Sequence, residues 1–132
     1  MISFIDNIKI YFSEIMSGGD SVKLVTIYNL GYLCIIKSKY GFLIGISFES
    51  RDRLFGASID FDESKFEKSP KYLKIQLDSK EFFTIQKKYV NKKLGMFYFI
   101  KKNYDEYVIA NIEFYAEYFK NNHQMICEQY YK

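Results

Sequence analysis

At the start of the chain, apolar residues recur every three or four positions. Phe4, Ile5, Ile8, Tyr11, Phe12 and Ile15 fall along one side of a helical path, while Asp6, Asn7, Lys9 and Glu14 fall elsewhere. This spacing predicts an amphipathic helix over 3–16, with Ser3 placed to cap it and Gly18-Gly19 to end it. From Val22 the period shortens. Val22–Tyr28, Tyr32–Lys37, Phe42–Phe48 and Ala57–Phe61 are short β-branched and aromatic runs, separated by Asn29-Leu30-Gly31, by Lys39-Tyr40-Gly41 and by the charged stretch Glu49–Arg53. Gaps this short hold no crossover helix, so the pattern predicts an antiparallel meander. Gly45, inside its strand, marks a bulge or a close approach of another group to the backbone.

Beyond Pro70, Tyr72–Leu77 alternates apolar and polar residues and predicts a further strand. Asp78 and Glu81 have capping-box spacing, and Leu77 and Phe82 sit where a hydrophobic staple would place them. A helix from Ser79 to Asn91 follows, with Phe82, Ile85 and Tyr89 on its apolar side. Leu94–Ile100 reads as a buried strand. Asn103 and Glu106 repeat the capping spacing ahead of Val108, Ile112, Tyr115 and Phe119, which predicts a helix over 104–120. Residues 122–131 would extend it after a break at Asn121-Asn122. The alternative, a hairpin of 96–101 with 106–114, alternates less cleanly. No repeat or linker divides the chain. The expected architecture is one α+β domain over 1–132, with an N-terminal helix, a mainly antiparallel sheet of about five to six strands and two further helices in the C-terminal half.

Composition changes this picture in one respect. Of the 132 residues, 13 are Tyr and 13 Phe, with no Trp, which suits a core of bulky rings with some tyrosines at the surface. A chain of this length can bury enough surface to need neither disulfide nor metal. The abundance of Lys, Ile, Asn, Tyr and Phe points to an AT-rich coding sequence, such as a mobile or horizontally acquired gene. Asp6 and Lys9 interrupt the N-terminal apolar residues, so no signal-peptide core is present. No apolar run approaches the ~18 residues that span a bilayer. A cytoplasmic protein with Cys34 and Cys127 reduced is the expectation.

Candidate chemistry is sparse. His123 is the single histidine and stands four residues before Cys127, so on a helix the two share a face. One His and one Cys are half a zinc site, and packing is the plainer role. Cys34, in an apolar strand, reads as an inert core thiol. Asp60-Phe61-Asp62-Glu63 resembles the start of a calcium loop, but Lys65 stands where that loop needs glycine. These acids read as a solvated sheet edge. Gly18-Gly19-Asp20-Ser21 follows a helix and lacks phosphate-loop spacing. No catalytic residue, metal or cofactor is expected.

Charge is more informative than the net +3. Residues 65–102 carry 11 Lys against Glu67, Asp78 and Glu81, whereas residues 103–131 carry five acids and only Lys120. Lys87-Lys88, Lys92-Lys93 and Lys101-Lys102, interleaved with Tyr89, Phe97 and Phe99, form a candidate nucleic-acid surface. With 17 Lys and two Arg, the chain has few of the side chains that read bases bidentately. On a helix over 104–120, Glu106, Glu113 and Glu117 form one stripe, flanked by Tyr107, Phe114 and Tyr118. Such a stripe is a solvated helix face or a recognition surface for a basic protein, with rings as anchors and charge as orientation.

An aromatic-rich, motif-free α+β chain of this kind resembles the bacterial immunity proteins that neutralise a cognate toxin, as in contact-dependent growth inhibition. The resemblance is one of overall character across the chain and transfers no residue. It implies a one-to-one complex covering the active site of a toxin domain, often a nuclease with a basic cleft. The net positive charge departs from the acidity expected of a nuclease inhibitor. The partner surface read from the sequence comprises Glu106, Tyr107, Glu113, Phe114, Glu117 and Tyr118, or the acids Asp60, Asp62 and Glu63. Nucleic-acid binding through the 87–102 lysines is the alternative, and a small enzyme with a cryptic site is a third.

Overall fold

The computed structural model of the protein describes residues 4–18, 20–27, 31–49, 52–67, 73–95 and 104–131. Helix α1 (Phe4–Tyr11) precedes four strands, β1 (Val22–Ile27), β2 (Gly31–Lys37), β3 (Leu43–Glu49) and β4 (Leu54–Asp60). A single helical turn, α2 (Ser64–Glu67), and a two-residue strand, β5 (Ile75–Gln76), lead into α3 (Lys80–Leu94) and α4 (Tyr104–Tyr130). The strands form one sheet in chain order, each antiparallel to the next. The protein is therefore an α+β fold with an N-terminal helix, a five-stranded antiparallel sheet and two C-terminal helices, as the pattern predicts.

Both faces of this sheet are apolar, and each has its own cover. Cys34, Ile36, Ile44, Ile46, Phe48, Phe55, Ala57 and Ile59 face the helices and join one cluster with Ile8, Phe12, Phe82, Ile112, Tyr115 and Phe119. On the opposite face Leu33, Ile35 and Leu43 are buried with Leu73, and Val25 and Phe66 pack against them. Leu73 lies across Gly45. A Cβ there would come within 2.9 Å of Leu73 Cδ1 and 2.7 Å of Ser58 Oγ. The register runs through Gly45 without interruption on both sides, so the glycine marks a close approach and not a bulge.

Asp60 fixes the second cover. It lies at the end of β4, between β3 and β5, and is buried. Its carboxylate accepts hydrogen bonds from the backbone N–H of Asp62 (3.0 Å) and of Lys74 (2.9 Å), and from the Lys65 ammonium. One side chain thus ties down both ends of the excursion that carries Phe66 and Leu73 over the sheet. Burial alone would raise the pKa of Asp60, but the hydrogen bonds from Lys65, Asp62 and Lys74 together hold it below the ordinary carboxylate value. The expected solvated sheet edge is therefore wrong for this residue.

Several element boundaries also differ from the sequence pattern. Helix α1 stops at Tyr11, although turns continue beyond it and keep Phe12 and Ile15 fully buried. Asn7, placed off the apolar side by spacing, is buried. Strand β4 starts at Leu54, three residues earlier than the apolar run, and β5 covers only two of the six residues from Tyr72 to Leu77. Ser79, and not Asp78, caps α3: its Oγ accepts from the Phe82 N–H at 3.1 Å. That helix runs to Leu94 and closes on Gly95, whose positive φ suits glycine. The expected strand at Leu94–Ile100 loses its first residue to α3, and 96–100 lie outside the described residues. No break occurs at Asn121-Asn122. The Asn122 side-chain amide donates to Tyr118 O, four residues back, and α4 continues for 27 residues.

Asp60→Asn is expected to destabilise the protein by about 2 kcal/mol near neutral pH, through loss of charge-assisted hydrogen bonds at a buried site. Because the folded-state pKa is lowered, the native carboxylate stabilises above its unfolded-state pKa and loses that contribution as pH falls through the folded value. Urea titrations of parent and variant should therefore differ most near pH 7 and converge in strong acid.

Candidate interaction face on the helical layer

Helix α4 lies on the sheet and packs against α1 along one side and α3 along the other. Ile112, Tyr115, Phe119 and Ile126 point inward and are fully buried. At helical spacing this turns Glu106, Glu117, Gln124 and Glu128 outward, and all four are exposed. The acidic stripe read from the sequence therefore exists, and Glu128 extends it by three turns. Glu113, at its edge, is only partly exposed and pairs with Lys93 of α3 at 3.1 Å, an interaction that raises the Lys93 pKa. Lys120 pairs across to Glu14 beside α1 at 2.7 Å and holds the Glu14 carboxyl below its usual value.

The aromatic flank is not as expected. Phe114 is buried, with its ring against Phe82, Tyr89, Tyr115 and Tyr118, because the helix turns it toward α3 and away from solvent. Tyr107 is half-buried against Phe55, and its hydroxyl donates to Arg53 O at 3.1 Å. Tyr118 is also half-buried, edge-on to Phe82 with ring centroids 4.9 Å apart, and burial raises its pKa. Only Tyr118 keeps one side toward an open groove.

That groove, about 180 Å³, runs between the start of α3 and the second half of α4. Leu77 and Phe82 floor it. Ile85, Tyr118 and Tyr130 flank it, and Asp78 and Glu81 stand at its α3 end. Ile85 is 53% exposed, and Met125, one α4 heptad beyond Tyr118, is also exposed. Spacing could not assign these roles. Ile85 counts as an inward residue by periodicity, and its exposure depends on how far α3 is rotated against α4. The rotation is set by Gln86, whose side-chain amide donates to Asn111 Oδ1 at 2.7 Å and to Tyr115 Oη at 3.0 Å.

The acids at 60–63 belong to a different part of the molecule. Asp60 serves the fold. Asp62 accepts from the backbone N–H and hydroxyl of Ser64, which lowers its pKa, and so caps α2. Glu63 is exposed and lies 3.8 Å from the Lys37 ammonium. Tyr131 packs against Phe61, so this corner adjoins the far end of α4, whereas Tyr107 near Glu106 meets Arg53 at the opposite end of β4. The fold does not bring 60–63 together with Glu106.

His123 and Cys127 do share a face, and it is turned inward. The imidazole stacks on Tyr40 at 3.9 Å with 3° between the planes, and the Cys127 thiol donates to Tyr40 O at 3.8 Å. Both residues seat α4 on the β2–β3 turn. Cys34 is buried in β2, and desolvation pushes its thiol up to about 12. Among the described residues, no three His, Cys, Asp or Glu side chains are grouped so as to hold a metal ion, and no helix is long and apolar enough to cross a membrane. No family model matches the chain, and no curated protein or solved structure is similar to it.

The two thiols should therefore react very differently. At pH 8 a charged thiol reagent is expected to modify Cys127 in the native protein and to reach Cys34 only after unfolding. A titration giving one fast thiol per folded chain and two in denaturant checks this.

Proposed function

We propose that this chain is a protein-binding inhibitor of the immunity-protein kind, which covers the active site of a cognate bacterial toxin domain with the outer seam between α3 and α4. The observation carrying this reading is that exposed apolar side chains and exposed acids share the seam. Ile85, Met125 and the open side of Tyr118 supply apolar area, while Glu81, Glu117 and Glu128 surround them. A small apolar centre with a charged rim is how stable interfaces divide their work, the centre giving affinity and the rim orientation and on-rate. The acids fit a toxin domain whose catalytic cleft is basic, as in a nuclease. Two helices locked by buried side-chain hydrogen bonds present these groups with little ordering cost on association.

The alternative reading rests on the remaining face of α3. Lys80, Lys87, Lys88 and Lys92 are exposed there, and Phe83 is 43% exposed beside them. Lysines around one exposed ring suit a single-stranded nucleic acid, with binding that weakens steeply as salt rises.

The test is to look for a toxin domain encoded beside the gene, to co-express the chain with it and to measure complex formation and toxin activity; a neighbourhood without one counts against the proposal. A stoichiometric complex that suppresses the toxin is expected. Glu117→Lys with Glu128→Lys should weaken it at least about tenfold while leaving thermal stability near the parent's. Unchanged affinity in that double variant would remove the seam from the interface. Salt-sensitive binding to random RNA with no effect on the toxin would instead select the lysine face.

A further inference from the structure

The groove between the start of α3 and the second half of α4 joins two kinds of chemistry in one small space. Its floor, Leu77 and Phe82, is apolar and buried, whereas Asp78 and Glu81 at its α3 end are both exposed. Neither carboxylate belongs to any ion pair among the described residues. The α4 wall holds two tyrosines, Tyr118 and Tyr130. Burial raises the Tyr118 pKa and the nearby Tyr130 raises it further, so the two phenol groups converge. At about 180 Å³ and open to solvent, the groove has room for one long side chain and not for a helix or strand.

Magnitudes decide the sign of the occupant. The start of α3 carries the positive end of the helix dipole, roughly half an elementary charge, which by itself would draw an anion. The Phe82 N–H there is already taken by Ser79 Oγ, and the two full negative charges of Asp78 and Glu81 outweigh the dipole. The occupant is therefore a cation. Lysine and arginine can both lay an apolar stem along Leu77 and Phe82 and carry their charge to the carboxylates. The tyrosine wall separates them. A guanidinium is planar and weakly hydrated, stacks on aromatic rings, and offers several N–H donors to two carboxylates, none of which an ammonium matches. We propose that this groove receives an arginine side chain of the partner protein, held at its tip by Asp78 and Glu81 and along its flank by Tyr118 and Tyr130. The seam reading above supplies only the source of that arginine, a toxin domain with a basic cleft; the binding itself belongs to the isolated chain.

The test is an NMR titration of the full chain, labelled at its isoleucine δ1 methyl groups, with Nα-acetyl-arginine amide. The Ile85 methyl should shift saturably, while that of Ile10, in the separate groove between α1 and α4, should stay in place. Nα-acetyl-citrulline amide, which keeps the shape and loses the charge, should leave Ile85 unmoved, and the matching lysine compound should bind more weakly than arginine. Asp78→Asn with Glu81→Gln should raise the dissociation constant about fivefold or more, with thermal melting near the parent's. Tyr130→Leu keeps an apolar wall without the ring and should abolish the preference for arginine over lysine. Citrulline or lysine binding as well as arginine overturns the proposal, as does a response at Ile10 without one at Ile85, or affinity unchanged in the double variant. A toxin complex formed by a chain whose Ile85 ignores arginine would reject this groove and keep the seam reading. Arginine binding with no toxin complex would do the reverse.

Discussion

A sheet with two apolar faces must be covered twice, and the rest of this molecule follows from that requirement. The alternation that makes β2 and β3 good strands puts Cys34, Ile36, Ile44 and Ile46 on one side and Leu33, Ile35 and Leu43 on the other. Neither set can be left in water at a cost of roughly 25 cal/mol per Å². Helices α1, α3 and α4 close the first face. The second is closed in part by Phe66 and Leu73, and hydrogen bonds from Asp62, Lys65 and Lys74, next to them in the chain, converge on Asp60. Where few elements carry a cover, one buried carboxylate has to hold it in place.

The aromatic content serves the same purpose. Phe4, Phe48 and Phe55 form a stacked run across the sheet, and Phe82, Phe114, Tyr115 and Tyr118 form a second across the α3–α4 contact. Large rings fill a wide space between helix and sheet with few residues. Tyrosine is used where a ring must lie at the margin of that space or beside a polar group. Tyr107 reaches a loop carbonyl, and Tyr115 accepts from Gln86 deep in the core. Among the described residues Gln86 Oε1 has no hydrogen-bond partner, while the amide nitrogen of the same side chain bonds both Asn111 and Tyr115 across the α3–α4 contact.

Much of this was legible in the sequence. Strand alternation is a local property, and all four long strands overlap the runs it marks, although β4 begins three residues earlier, because their hairpins are too short to allow another topology. Helix limits were less legible. Asn121 and Asn122 are turn formers by preference, but Tyr118 and Ile126 are anchored on either side of them and the helix carries through. The acidic stripe could be read because charge follows the same 3.6-residue period as burial. Its aromatic flank could not, since whether Phe114 or Ile85 faces water depends on the rotation of one helix against its neighbour. Asp60 was misread for a related reason. Spacing shows that a strand ends there, but not that the chain 14 residues later returns an N–H to it.

The order of elements along the chain has a further consequence. Helix α4 follows all five strands, and Glu14, beside α1, meets its partner Lys120 across 106 residues. The meander itself is built from neighbouring hairpins, so it can zip together early and quickly. Its helix-facing side then has only α1 and α3 to cover it until α4 has been synthesised. During that interval the nascent chain displays the apolar surface that Ile112, Tyr115 and Phe119 later cover, and molecular chaperones are the natural occupants of such a surface.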